Sequence, residues 1–509
     1  PRVRRQRQMC IRDSIYRCRK GFNAYKTRFA VFGFRYCEVS ADDLSDLEDA
    51  EFTAVAVYSD LRQTGFFKSS NALLDQFVES TVWSARSNFL DIPTDCPTRE
   101  RHGWTGDAQI FFDTAGWLFD CASFFRKYVQ DMYDWQRKDG CLPQIVPEGG
   151  VDFYMDAMNG SVGWADAGVL IPYRFWKRYG DRSILEKYYK GMKKYARFMM
   201  KRCGKHTLLS KPLRIPHGYR KYAVNAGQSY GEWAEPADVH PNKWTDMVLP
   251  HPEVSTAYTS FVMGHMAEIA AELGEDADHD LYREYARQVR RSYQAIRSLP
   301  EFTLDTDRQA MLVRPLYMGL LDTEGRKYAQ ERLVKALDHY GWRLGTGFLS
   351  TPLILDVLSE IDIGYAYRLL ENEEMPGWLF MPKHGATTIW ESWEGTEAQN
   401  GIASLNHYSK GAVCAWLFET MCGIRIDGEN HFLLSPKPGG SFTYAGASYD
   451  SIYGTVACRW ERSDAGVRYT AEIPPNTSAR VELPGMEPFE VKAGKYEWMA
   501  ETEKMTQKK

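Results

Sequence analysis

From Thr27 to Ser59 the segments TRFAVFGFRYCEV and FTAVAVYS alternate aromatic or β-branched residues with small or polar ones, across an acidic turn at Asp42 to Asp49. That alternation predicts strands. After Ser70 the period changes: Leu74, Phe77, Val78, Val82, Ala85 and Phe89 recur three or four apart, predicting an amphipathic helix with Ser70 as N-cap. The same period predicts helices over 107–119, 122–137, 161–178, 182–202, 254–273, 276–297, 324–340, 349–358, 361–371 and 406–421. About ten to twelve helices over roughly 350 residues, with almost no strand signal between them, close more economically as a barrel of helical hairpins than as a four-helix bundle. The lack of a fixed-length repeat argues against a regular solenoid. Beyond Gly423, FLLSP, SIYGTVACRWER, GVRYTAEI, SARVELP and FEVKAGKYEWM alternate again between Pro, Gly, Asn and Asp, as a small antiparallel sandwich does.

The fold class expected is therefore mainly α. A basic segment at 1–20, non-native or disordered, precedes the closing strands of a truncated β-domain at 21–64; a helical barrel spans 65–424, a C-terminal β-sandwich 425–500 and a polar tail 501–509. Residues 1–20 hold eight basic residues and one acid, with no starting Met and no signal-like apolar region. The chain reads as a fragment whose true N-terminus is out of view.

Composition narrows the function. Sixty-three Lys plus Arg against 67 Asp plus Glu give a net charge of −4, which calls for neither nucleic acid nor an anionic membrane as partner. No apolar run reaches the ~18 residues of a membrane span. Fifteen Trp and 30 Tyr exceed what a core of 509 residues needs, and amphipathic rings suit the apolar faces of sugars; their plain use is to pack the seams between helices. Ten Cys form no CxxC pair and no zinc spacing, so no metal site is expected, and free thiols suit a cytoplasmic location.

The most informative stretch is DCPTRERHGWTGD at 95–107. Pro97 lacks an amide donor and disfavours helix in the residue before it, so the stretch is a loop. Carboxylates, guanidinium groups and an aromatic plane make poor core but suit a hydroxyl-rich ligand. The plain alternative is a polar interhelical turn with Asp107 as N-cap. Far downstream, GATTIWESWEGTE at 385–397 sets Glu391, Glu394 and Glu397 beside Trp390 and Trp393, after an extended lead-in of Thr387, Thr388 and Ile389. Two carboxylates from distant loops are the minimum for glycosidic hydrolysis, one protonated to serve the leaving oxygen and one ionised to activate water or attack carbon. A separation of about 6.5–9.5 Å would mean inversion and about 5–5.5 Å retention. GWADAG at 163–168 adds Trp164 and Asp166; QSYGEWAEPADVHP at 228–241 adds Tyr230, Glu232, Trp233 and Glu235; NHYSKG at 406–411 adds Asn406, His407 and Tyr408. Each has a structural explanation: Asp166 as a cap, Trp233 as packing, His407 as a hydrogen-bonded core residue. They would cluster if every second connection of a helical barrel opened onto one face.

On these residues the chain resembles the bacterial α-L-rhamnosidases, inverting glycoside hydrolases built on an (α/α)6 barrel. The likeness runs from GFRYCEV at 33–39 through FLDIPTDCPTRERHGWTGDAQ, GWADAG, YGEWAEP, TGFLSTP at 346–352, HGATTIWESWEG and LNHYSKGAV to KPGGSFTYAGASYDSIYG, about residue 28 to near 500. The resemblance implies Glu100 as general acid and Glu391 as general base, with Asp95, Arg99 and Asp107 holding rhamnose hydroxyls. Trp104, Trp164, Asp166, Trp233, Trp390 and His407 complete the implied subsite. It also implies β-sandwich domains before the barrel. Many members read RDER where this chain has RER at 99–101, which shifts the register around Glu100. Arg99 and Arg101 would favour the ionised Glu100 if they pointed at it, so acid duty requires that burial or nearby Asp95 and Asp107 favour its protonated form again. The implied activity is exo-acting removal of terminal α-L-rhamnose from a carbohydrate substrate with inversion and no obligatory cofactor. The alternatives are another helical-barrel glycosidase or a non-catalytic rhamnose-binding relative.

Overall fold

The computed structural model describes residues 14–34, 36–148, 157–207, 210–241, 243–396 and 403–500; most of the basic N-terminal segment, Glu397 and the polar tail lie outside them. Helices α1 (Ala72–Asn88), α2 (Thr105–Leu118), α3 (Ala122–Asp134), α4 (Ala167–Tyr179), α5 (Ser183–Arg202), α6 (Pro252–Leu273), α7 (Asp276–Ile296), α8 (Ala310–Tyr317), α9 (Thr323–His339), α10 (Ile354–Ile361) and α11 (Ile363–Leu370) alternate between two layers. Every residue of α2 except Asp113 is buried, whereas α7 buries one stripe of Tyr282, Val289, Ser292, Tyr293 and Ile296. A helix apolar on all sides belongs inside and one with a single stripe outside. Thus α2, α4, α6, α8, α10 and the segment 409–421 make six inner helical segments among the described residues, each following an outer one. The ring closes where 409–413 packs on α2: the Thr114 hydroxyl donates to Ala412 O at 2.6 Å and accepts from Ala415 N at 3.0 Å. Because inner and outer helices alternate in direction, all inner N-termini open at one end of the barrel.

Several boundaries differ from the sequence reading. The N-cap of α1 is Asn71, whose Oδ1 accepts from Leu73 N and Leu74 N at 2.9 and 3.1 Å; Ser70 instead ties the chain to Thr443 and Tyr444. Helix α4 starts at Ala167, after a turn through Gly163 at φ +88°. Helix α8, with Pro315 inside it, is not among the helices the sequence predicted. The last inner segment, expected as one helix, is a 3-10 stretch (Ser409–Val413), one α-turn (Cys414–Trp416) and a π stretch (Leu417–Met421).

Among the described residues the strands expected over 27–59 are absent; the regular element there is one 3-10 turn, Leu44–Leu47. A strand exists only through a partner's ladder of hydrogen bonds, and among the described residues this segment has only scattered ones, such as Ser59 N to Phe89 O at 2.9 Å and the Arg101 guanidinium to Val31 O at 3.1 Å. Many of its apolar side chains stay in solvent, Phe29 at 97% and Tyr36 at 85% exposed, while Val31 and Phe32 are half-buried. What precedes α1 as a strand is β1 (Gly65–Ser69), and it pairs antiparallel with β4 (Tyr444–Ser451) near the other end of the chain. With β2 (Ile424–Ile426), β3 (His431–Leu434), β5 (Gly454–Ser463), β6 (Gly466–Val481) and β7 (Phe489–Ala500) it forms one connected sheet in the order β1-β4-β5-β6-β3-β2, β7 also pairing β6. The sheet is not wholly antiparallel: β6 pairs β3 in parallel at 478–481, beyond an irregularity between Ile473 and Ser478. Gly423 turns the chain from helix to sheet at φ +72°, where a Cβ would lie 2.0 Å from Pro436 N. The Trp460 indole donating to Met421 O at 2.9 Å pins the sheet to the barrel.

Candidate active site

The loop 95–107 enters the N-terminus of α2 and is held by its own backbone. Asp95 N donates to His102 O, and His102 N returns a bond to Asp95 Oδ1, both at 2.9 Å. Gly103 lies against Val146 so closely that a Cβ would meet its carbonyl at 2.0 Å. The two arginines diverge. Arg101, at φ +54°, reaches away to Val31 O at 3.1 Å, while Arg99 Nη1 lies 3.4 Å from Glu391 Oε2, 292 residues away in sequence. Neither is hydrogen-bonded to Glu100. Glu100 is exposed, and its Oε2 accepts the Trp104 indole N–H at 2.8 Å. Asp107, for which an N-cap was the plain alternative, is a buried first-turn residue of α2; Trp104 occupies the cap position and makes no side-chain cap bond.

The extended lead-in at 387–389 bridges to 404–407: His407 N donates to Ile389 O at 2.8 Å and Glu391 N to Ser404 O at 2.9 Å. Ser404 N in turn donates to Glu391 Oε2 at 2.8 Å, so amide and guanidinium fix the same carboxylate oxygen. His407 Nε2 lies 3.2 Å from Asp107 Oδ1, outside hydrogen-bond alignment, and Nδ1 lies 2.9 Å from the Ser409 hydroxyl.

The aromatic residues divide. Tyr230, at the centre, contacts Trp164, Trp104 and Trp233 at centroid distances of 4.7, 5.7 and 5.8 Å. Gly106 admits the Trp164 ring, which would come within 2.5 Å of a Cβ there. Trp390 is seated on Phe380, at 6.1 Å, and among the described residues no ring contact joins it to that group. Asp166 does not face this cluster. Its Oδ2 accepts from Gly163 N at 2.7 Å and its Oδ1 from the Tyr195 hydroxyl at 2.8 Å, and it is fully buried. It braces the turn before α4, a use that depends on a tyrosine in another helix. The sequence reading named Tyr230 as a loop candidate without placing it in the implied subsite, and it singled out neither Phe348 nor Lys410, although both stand inside its quoted motifs.

Crowded acids set the electrostatics. Burial first, then the charges of Glu100 and Glu391, push the Asp95 carboxyl up to about 7 against the Cys96 and His102 hydrogen bonds. Burial, then Asp95 and Glu391, hold Asp107 well above the carboxylate range. Burial drives His407 down to about 4; Glu391 opposes this, and Lys410 and Arg99 reinforce it. His407 is thus neutral at pH 7, with the Ser409 N–H donating to Nδ1 at 3.5 Å and so leaving the proton on Nε2. Because the native state resists protonating it, the associated stability is present above about pH 6.5 and is lost as pH falls toward about 4. The change over that window is about 3 kcal/mol. Denaturant unfolding between pH 7 and 4.5 is expected to show a smaller acid loss in His407→Gln than in the parent, and parallel pH slopes would contradict it.

Among the described residues no group of three His, Cys, Asp or Glu side chains could hold a metal ion, and no helix is long and apolar enough to cross a membrane. Comparison with known proteins places these features. A family model described as the bacterial α-L-rhamnosidase 6 hairpin glycosidase domain matches residues 62–421, and one described as the bacterial α-L-rhamnosidase C-terminal domain matches 426–497. An α-L-rhamnosidase of Streptomyces avermitilis is 32% identical over 483 residues, 93% of this chain and 43% of the relative. One of Formosa agariphila is 32% identical over 485 residues, 93% and 50% of the two chains. The chain spans about half the length of the curated relatives it matches. Among solved structures, the Streptomyces avermitilis α-L-rhamnosidase complexed with L-rhamnose aligns with a TM-score of 0.74 at 30% identity, over 86% of this chain and 42% of that one. The α-L-rhamnosidase from Dictyoglumus thermophilum aligns at 0.77 and 27% identity, over 87% and 51%.

Proposed function

Since the chain belongs to the bacterial α-L-rhamnosidase family through its six-hairpin glycosidase and C-terminal domains, we propose that it hydrolyses terminal α-linked L-rhamnose with inversion at C1. One observation carries the reading: the buried acids Asp95 and Asp107 both feel the charges of Glu100 and Glu391, so loops 292 residues apart converge on one cluster of carboxylates. Glu100 is the proposed general acid, with the Trp104 indole orienting its carboxyl toward the leaving oxygen. Glu391 is the proposed general base. Its Oε2 is engaged by Ser404 N and Arg99, and its other oxygen takes the proton of a water attacking C1 from the face opposite the aglycone. Asp95, Arg99, Asp107 and His407 hold the sugar hydroxyls, and Trp104, Trp164, Tyr230 and Trp233 give the C5 methyl an apolar wall.

The acid is tested through its leaving group. Glu100→Gln is expected to lower turnover of an alkyl α-L-rhamnoside by about 10²-fold or more. A nitrophenyl α-L-rhamnoside, whose phenolate departs without a proton, should lose far less. Equal losses on both substrates would remove Glu100 from the role. A panel of other aryl glycosides separates this reading from another helical-barrel glycosidase, and rhamnose binding without any turnover would mark a non-catalytic relative.

A further inference from the structure

Lys410 is a charged side chain that this mechanism does not use. It lies in the 3-10 stretch that closes the barrel, three residues past His407, and is 1% exposed. Its Nζ has no hydrogen-bond partner among the described residues. Aromatic faces enclose it instead: Nζ stands 4.4 Å from the Trp393 ring centroid and 5.0 Å from that of Phe348. Both rings belong to the site. Phe348 also contacts the His407 imidazole at 5.3 Å, and the Trp393 indole donates to Thr346 O at 3.2 Å, clamping the WESWEG loop to the TGFLSTP loop.

A buried ammonium without a hydrogen bond is unfavourable unless the surrounding field is negative. Here it is. Glu394 and Glu391 face it from the WESWEG loop, Glu232 from the YGEWAEP loop and Asp107 from α2, while His407 on its own segment is neutral. Burial pulls the ammonium down to about 8, but these carboxylates oppose it, so it stays charged at neutral pH. Of these acids Glu232 has Arg314 and Ser350, Glu394 accepts Ala237 N at 3.3 Å and Glu391 has Arg99 and Ser404 N, while Asp107 Oδ1 has no hydrogen-bond partner among the described residues. Glu391 shares its cluster with Asp95, Glu100 and Asp107. Arg99 sets one cation against that cluster, and contact with two rings holds a second cation behind the loop.

We propose that Lys410 is a positioning residue for hydrolysis, its enclosed charge countering the carboxylates around Glu391 and its ring contacts keeping the loop that carries Glu391 seated. The proposal rests on Glu391 being the base, as argued above. The test compares kcat/KM against pH for an aryl α-L-rhamnoside in the parent, Lys410→Met and Lys410→Arg. Lys410→Met is expected to move the acidic limb up by about one pH unit, so that below the limb the rate falls about tenfold while the plateau stays within about threefold. Lys410→Arg should return the limb. A lowered plateau with an unmoved limb would make the role merely structural, and a raised KM with an unmoved limb would mean direct contact with the sugar; either overturns the proposal.

A readout free of turnover keeps this apart from the activity itself. In thermal unfolding of the parent, Lys410→Met, Glu391→Gln and the double variant, Lys410→Met should lower the midpoint less in the Glu391→Gln background. Additive shifts overturn the coupling even if no rhamnoside is hydrolysed. If Lys410→Met does not fold, Lys410→Gln carries both measurements.

Discussion

Glu391→Gln is expected to lower turnover of an aryl α-L-rhamnoside by about 10²–10⁴-fold, the range that a positioned general base contributes. Glutamine keeps the size of the side chain and an oxygen for Ser404 N, so the bridge between 389–391 and 404–407 should survive. What it lacks is a basic oxygen for the attacking water and a charge to oppose Arg99. KM should change little, because the loss falls on the transition state. In Glu391→Ala, which opens room at that face, azide should restore part of the rate and give a β-L-rhamnosyl azide, since an anionic nucleophile needs no base. Turnover within about threefold of the parent, or an α-configured azide, would assign the base elsewhere.

Arg314→Met is expected to lower stability by about 3–5 kcal/mol, the cost of removing one partner from a buried ion pair. Arg314 is 1% exposed and bridges Glu232 and Glu253 through separate nitrogens. Burial opposes its charge, yet Glu253 and Glu232 outweigh that and lift the guanidinium above its ordinary value. Glu232 also accepts from Gly347 N at 3.2 Å, Ser350 N at 2.7 Å and the Ser350 hydroxyl at 2.9 Å, so one carboxylate joins the YGEWAEP and TGFLSTP loops. The next residues, Trp233 and Ala234, sit in the left-handed region at φ +42° and +53°, which only surrounding contacts sustain. The variant should therefore lose activity as well as stability, as the Trp233 wall loosens. Denaturant unfolding measures the first, and a double variant with Glu232→Gln should recover part of it. A change below about 1 kcal/mol would mean that solvent reaches the unpaired carboxylates.

The helical layers were legible because their signal is local. Tyr282, Val289, Tyr293 and Ile296 mark one stripe in the sequence and are the stripe α7 buries. The motif loops were equally plain: Pro97 and Gly103 exclude helix wherever the chain goes next. For Asp166 and Asp107 the sequence offered a cap as the plain alternative to a sugar contact, and it could not separate these uses, since a carboxylate before an apolar run looks the same whether it bonds the next turn or, like Asp166, a tyrosine 29 residues on. Residues 27–59 show the converse, because alternation reports a capacity to pair and not the presence of a partner.

The chain's own order of residues determined the helix periods, the polar-aromatic loops between them and the return to strands after Gly423, for these follow from backbone geometry and side-chain pattern over a few residues. Tertiary structure alone decided that Arg99 turns to Glu391 while Arg101 turns away, that β1 finds β4, that Tyr230 gathers the tryptophans, and that Lys410 keeps a charge between two rings. Each of these depends on partners distant in sequence, and burial and Coulomb energies are sums over everything nearby in space.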